Sequence, residues 1–165
     1  MAFRIYTLPA PRSGTLGISP LPGRWGDALD DFATIRQWAP NIVLSMTLLA
    51  EMESHNMADM GGLLAQGGIA WAHFPIRDFG EPKGDTDWAA LSARLHKVLD
   101  DNGRVLAHCF GGQGRSGMVL MRLMVERGMA PNAALTALRA VRPGAVETDA
   151  QRAWAVKGYA GNSHL

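Results

Sequence analysis

Apolar positions along the chain alternate between two rhythms, one fitting strands and the other helices. Residues 3–8 and 15–19 are short runs of β-forming residues separated by Pro9, Pro11 and Gly14, and they predict an edge hairpin or meander. Pro20, Pro22 and Gly23 end the second run. From Asp27 onward, Leu29, Phe32, Ile35, Trp38 and Ala39 recur at helical spacing until Pro40 stops them. Residues 41–47 read as a buried strand, 51–56 as a polar connection, and 57–66 as a short helix ending at Gly67-Gly68. A strand over 69–74 leads into a loop over 75–84 bounded by proline and glycine. Trp88, Leu91, Leu95, Val98 and Leu99 predict a helix capped near Asp85 or Thr86 and closed at Asn102-Gly103. Residues 104–108 form the next strand. Past a glycine-rich loop, residues 118–127 are apolar on most sides, which predicts a buried helix closed by Gly128. Pro131 opens another helix running to about residue 141, Pro143-Gly144 breaks it, and Thr148-x-x-Gln151 reads as a capping box opening the last one.

Short strands alternating with helices, without repeats or low-complexity linkers, predict one α/β domain with a mostly parallel central sheet and helices on both faces. The domain is expected to span residues 1–165, with 1–14 a peripheral N-terminal strand or arm and 159–165 a frayed tail. Ligands in such folds bind beyond the carboxyl ends of the strands. The loop over 75–84 and the glycine-rich loop both leave strands at that edge.

Composition narrows the class. With 47% hydrophobic and 19% charged residues among 165, the chain is an ordinary globular one that buries a single core. The net charge of +1, without a basic run or basic-aromatic array, argues against nucleic acid or an anionic membrane as partner. The longest apolar stretch, residues 42–50, is too short to span a bilayer, and the N-terminus lacks the apolar run of a signal peptide. One cysteine allows no internal disulfide and fits a reducing compartment, so the expected location is the cytoplasm.

That cysteine lies in His108-Cys109-Phe110-Gly111-Gly112-Gln113-Gly114-Arg115-Ser116, the stretch that carries the chemistry. Gly111, Gly112 and Gly114 let the backbone curl until successive N–H groups from Phe110 to Arg115, including that of Gln113, face one point, and a helix beginning near Arg115 adds the positive end of its dipole. The cradle suits a phosphoryl group, and the same field favours a thiolate on Cys109. Arg115 is placed to grip two phosphoryl oxygens, Ser116 to stabilise the departing sulfur, and His108 to support the loop from beneath. Cleaving a phosphate monoester also needs a proton donor for the leaving oxygen, and Asp78 in the loop over 75–84 is the candidate, with Glu81 its rival. Arg77, beside it, is a candidate reader of a second negative charge. His55, His73, His96 and His164 lack ligand-like spacing, so neither a metal nor an organic cofactor is expected.

The spacing Cys-x5-Arg-Ser preceded by His resembles the signature loop of cysteine-dependent protein tyrosine and dual-specificity phosphatases. Together with Leu21-Pro22-Gly23, Phe74-Pro75-Ile76-Arg77-Asp78 through Pro82, and Leu138-Arg139 to Thr148 and Gln151, the chain is most similar to the small phosphatases related to cyclin-dependent-kinase-associated phosphatase, over residues 16–154. The resemblance implies a phosphotyrosine-phosphatase-like fold and a phosphoric monoester hydrolase working through a phosphocysteine, with Asp78 as general acid and a phosphorylated protein or small phosphoester as substrate. It gives Gln151 two readings, a residue that positions the hydrolytic water or a helix cap. Gln113 departs from the small or apolar residue common at its place. No feature identifies a kinase-docking surface. The alternatives are a catalytically silent phosphate-binding module, a phosphatase acting on a non-protein phosphoester such as a phosphoinositide, and a sulfurtransferase carrying a persulfide on Cys109.

Overall fold

The computed structural model describes residues 1–84 and 86–161. In chain order these form β1 (Tyr6–Pro9), β2 (Thr15–Ser19), α1 (Ala28–Trp38), β3 (Ile42–Ser45), α2 (Leu49–Glu53), α3 (Met60–Gln66), β4 (Ala70–His73), α4 (Thr86–Asp100), β5 (Arg104–His108), α5 (Gly114–Glu126), α6 (Pro131–Val141) and α7 (Asp149–Val156). Asp85, one expected cap of α4, the side chain of Thr86, the other, and residues 162–165 of the expected tail lie outside the described residues.

The strands make one sheet in the order β1-β2-β5-β3-β4, parallel except for the antiparallel β1-β2 hairpin at one edge. Alternation along β5 sends Val105 and Ala107 to one face and Leu106 to the other. The first face carries α4, α5, α6 and α7, whose Trp88, Leu95, Leu120 and Trp154 close over Ile18, Ile42 and Leu44. On the second, Phe32 and Ile35 of α1, Met52 of α2 and Leu64 of α3 pack on Val43 and Leu106. The expected doubly covered, mostly parallel sheet is therefore the observed one.

One expectation needs correction. Residues 51–56 are not simply a polar connection, because α2 occupies Leu49–Glu53. It forms around Glu51, whose carboxylate accepts the Leu48 N–H at 2.8 Å, and around Met52, which is fully buried. The helix expected to begin near Arg115 and to run buried through 118–127 starts at Gly114, where the glycine-rich loop runs into it.

Register sets where the loops emerge. Ser19 pairs with His108, Ser45 with His108, and Ser45 with His73, so β2, β5, β3 and β4 end level at their carboxyl ends. Pro20, Met46, Phe74 and Cys109 leave the sheet side by side.

Candidate active site

Cys109 follows the central strand directly and is 3% exposed, with its Sγ 3.2 Å from Ser116 Oγ. The carbonyls around it all turn outward to donors elsewhere. Phe110 O accepts from Leu21 N and from Arg24 Nη1, each at 3.2 Å. Gly111 O and Gly112 O accept from Arg142 Nη2 at 3.0 Å and Nε at 2.9 Å. Gln113 O accepts from Gly117 N and Val146 N. With the carbonyls tied from outside, the N–H groups of Phe110 to Gly114 are left without a backbone acceptor among the described residues. Gly112 makes this curl possible, because its φ is +68° and a Cβ there would lie 2.5 Å from the Ser19 carbonyl carbon.

His108 supports the loop from below, fully buried. Its Nδ1 lies 3.2 Å from Cys109 O and its Nε2 2.5 Å from Ser45 Oγ. A carbonyl only accepts, so the ring proton sits on Nδ1 and Nε2 takes the Ser45 hydroxyl proton. Trp71 Nε1 in turn donates to Ser45 Oγ at 2.8 Å. Burial drives the His108 pKa down to about 4, so the ring is neutral and serves as a strut between β3, β4 and the loop.

Arg115, 1% exposed, is gripped from behind by a residue that sequence reasoning missed. Its Nη1 and Nη2 donate to Glu51 Oε2 and Oε1 at 2.7 and 2.8 Å, and Nη1 also donates to Ile76 O at 2.9 Å. Burial works against the charge of both partners, but these paired hydrogen bonds outweigh it, holding the Glu51 carboxyl below its ordinary range and the Arg115 guanidinium above its own. Arg115 Nε is buried and has no partner. An unpartnered buried N–H is costly, and here it sits on a fork fixed from behind by Glu51. The only sequence signal for Glu51 was a lone carboxylate within a polar stretch.

Asp78 comes to the same arginine, with Oδ1 3.3 Å from Arg115 Nη2 and the side chain 54% exposed. Its loop is pinned before and after it. Ile76 is buried, donates its N–H to Met46 O and accepts from Arg115, while Gly80 N closes a turn on Arg77 O at 2.8 Å. Gln151 Nε2 then donates to Gly80 O at 3.0 Å. The other end of the Gln151 amide accepts from Glu147 N and Thr148 N, and its backbone N–H reaches Thr148 Oγ1, so this fully buried side chain caps α7 and ties it to the Asp78 loop at once.

Other candidates fall at the edges. Gln113 lines the mouth of the site and donates to Pro143 O, so it belongs to the rim. Arg77 and Glu81 line a neighbouring cleft, which shares Asp78 and Phe79 with the one at the cysteine loop, and neither lines the latter.

The comparisons with known proteins agree with this geometry. Residues 19–129 match the family described as polymorphic toxin system, DSP-PTPase phosphatase. The chain is 34% identical over 156 residues to cyclin-dependent kinase inhibitor 3 of Rattus norvegicus, covering 88% of this chain and 73% of that one, and 30% identical over 155 residues to its Mus musculus counterpart, with the same coverage. Among solved structures, kinase-associated phosphatase with its catalytic-site cysteine replaced by serine superposes with a TM-score of 0.84 at 25% identity, covering 94% of this chain and 93% of that one. The active form of Tk-PTP gives a TM-score of 0.66 at 27% identity over 84% of this chain and 87% of that one. A cysteine cradled beyond the central strand of a doubly covered sheet and this match over most of the sequence lead to one conclusion, that the chain belongs to the cysteine-dependent dual-specificity and protein tyrosine phosphatases.

Proposed function

We propose that this enzyme hydrolyses phosphorylated side chains of proteins in two displacements at Cys109. In the first, the Cys109 thiolate attacks phosphorus, the bond from phosphorus to the substrate oxygen breaks, and Asp78 in its acid form gives that oxygen a proton. The loop N–H groups and Arg115 Nε hold the equatorial oxygens throughout. In the second, water attacks the phosphocysteine, the Asp78 carboxylate takes a proton from it, and the sulfur leaves with a hydrogen bond from Ser116 to receive its charge. Inorganic phosphate and the starting thiolate result.

The observation that carries this reading is the buried, unpartnered Nε of Arg115, the residue six places after Cys109, together with loop carbonyls that are all tied to donors outside the loop. Such a set of donors suits an anion, with a nucleophile beside it. Protein substrates are favoured by the relatives, whose names describe a kinase inhibitor and a kinase-associated phosphatase. Their kinase partner does not carry over. The absence of a tyrosine-bearing recognition loop in the sequence supports action on phosphoserine and phosphothreonine as well as phosphotyrosine. A lone cysteine also fits a reducing, cytoplasmic setting.

Turnover of a panel of phosphopeptides, phosphoinositides and phosphosugars tests the reading. Wild-type protein is expected to hydrolyse the phosphopeptides with EDTA present, and Cys109→Ser to lose turnover while still binding phosphate. Activity retained by Cys109→Ser, or removed by EDTA, contradicts the covalent mechanism. Wild-type protein without turnover on any phosphoester leaves only a phosphate-binding module.

A further inference from the structure

The loop that carries Asp78 has a second side. Residues 75–83 line a hollow of about 600 Å³, to which the rest of the chain adds only Leu48, at the N-cap of α2. Ile76 is buried and Leu48 and Pro82 are half-buried, so they form its floor, while Arg77, Glu81 and Lys83 are exposed and stand at its rim. Asp78 and Phe79 also line the cleft at the cysteine loop, so the two spaces meet at those residues.

Charge and exposure decide what such a hollow takes. Arg77 and Lys83 are balanced by Asp78 and Glu81, which leaves the lining without net charge and gives an ion no advantage there. Phe79 is the more telling residue. Its φ is 59°, a left-handed conformation that a bulky side chain adopts only at a cost, and its ring is 60% exposed. The ring joins neither core cluster and stands instead where the two spaces meet. A peptide whose phosphoryl group sits on the cysteine loop passes Asp78, and a neighbouring side chain then meets Phe79 and the apolar floor beyond it.

We propose that this hollow is a substrate subsite for an apolar side chain, leucine-sized or aromatic, lying within two residues of the phosphorylated one. The inference rests on the protein-phosphatase reading and narrows its substrate class. An apolar group seated against Leu48, Ile76, Phe79 and Pro82 leaves water without stranding a charge, which is what an apolar pocket with a hydrated rim selects. Nine of the ten lining residues belong to the loop of the general acid, so the occupant that is recognised also packs against the segment that carries Asp78.

The test measures kcat/KM for phosphoserine peptides on an alanine background, with leucine, glutamate or lysine placed singly at each position from two before the phosphoserine to two after it. Leucine adds three carbon atoms to alanine, about half withdrawn from water in an open cleft, so one of these positions is expected to gain about tenfold from leucine. Glutamate and lysine are expected to gain nothing there, and the leucine gain to persist in high salt. Leu48→Asp, which keeps a favoured cap residue on α2, and Pro82→Asp are each expected to abolish the gain while turnover of an activated aryl phosphate, which has no flanking residue, stays within about twofold. Leu29→Ala, which removes an exposed apolar side chain of α1 outside the hollow, is expected to leave the gain in place. Hydrogen exchange on Cys109→Ser protein gives a readout that leaves the hollow unaltered, and the leucine peptide is expected to slow exchange over residues 76–83 more than its alanine parent. No leucine gain at any position, a larger gain from glutamate or lysine, a leucine gain kept in both hollow variants or lost equally in Leu29→Ala, or equal exchange with the two peptides overturns the subsite and leaves the phosphatase reading standing. If wild-type protein cleaves no peptide, that reading fails instead. In that case, or if both hollow variants lose the aryl phosphate, the exchange comparison decides the subsite.

Discussion

In the proposed mechanism, much of the chemistry rests on two single side chains, Asp78 and Arg115, held in place by residues outside the reaction. Asp78 is half-exposed and meets the reaction centre through Arg115, so its contribution is separable from that of the cradle. A serine or threonine alkoxide needs a proton to leave, a phenol with a pKa of about 10 needs one less, and an activated nitrophenolate hardly at all. Asp78→Asn is therefore expected to lower phosphopeptide turnover about 10² to 10⁴-fold while an activated aryl phosphate loses far less. Single-turnover measurements on both substrates check it, and the basic limb of the pH profile is expected to flatten. Equal losses on both would make Asp78 a shaping residue of its loop. Glu51 works one step further back, keeping the buried guanidinium ionised and oriented, with Nε unpartnered and Nη2 shared between Glu51 and Asp78.

At the level of elements, the site is assembled where four strands end level and α2, α5 and α7 converge. Gln151 couples two of those pieces, since its amide joins the first turn of α7 to Gly80 in the Asp78 loop. Gln151→Ala is expected to release that loop and slow phosphoenzyme formation on phosphopeptides about tenfold, an order set by a hydrogen bond worth about 1 kcal/mol together with lost positioning. Pre-steady-state kinetics distinguish this from a residue that only positions water, whose loss slows the second step and lets phosphoenzyme accumulate. The elements that build the cradle were legible because each announces itself locally. Cys109, the glycines, Arg115 and Ser116 are contiguous, and Thr148 and Gln151 stand at capping-box spacing. What could not be read was contact between distant segments. Glu51 is 64 residues from its arginine, and the short α2 that presents it has too few apolar positions to mark a helix. Arg24 and Arg142 act on carbonyls about 86 and 30 residues away, which no local pattern encodes.

Across the whole molecule, a second polar knot braces the site from the other end of α5. Glu126 accepts from Trp88 Nε1, Ser92 Oγ, His96 Nε2 and Arg122 Nε at 2.7 to 2.8 Å, fastening α4 to the helix that carries Arg115. Burial opposes its charge, but the four hydrogen bonds outweigh it and bring its pKa from 4.5 down to about 2. His108, depressed by burial from 6.5 to about 4, is a second acid-sensitive group, beside Glu51, whose carboxyl is also held low. All three are lowered in the folded state, so each contributes stability that is complete above its unfolded pKa and is lost as pH falls through the folded one. Folding free energy from denaturant titration is expected to fall by about 3 kcal/mol between pH 6.5 and 4 from His108, and by a similar amount between 4.5 and 2 from Glu126. Glu126→Gln is expected to shrink the lower step, leaving what Glu51 contributes there, and to keep the upper. A flat profile across both windows would contradict the account of these networks. The two-displacement mechanism is tested most directly by acid-quenching the enzyme during turnover and mapping the trapped phosphate by mass spectrometry. A phosphoryl group on Cys109, formed in a burst approaching one equivalent when hydrolysis of the intermediate is slowed, is the predicted result. Turnover with Cys109 unmodified at every time point, or phosphate trapped on another residue, would contradict it.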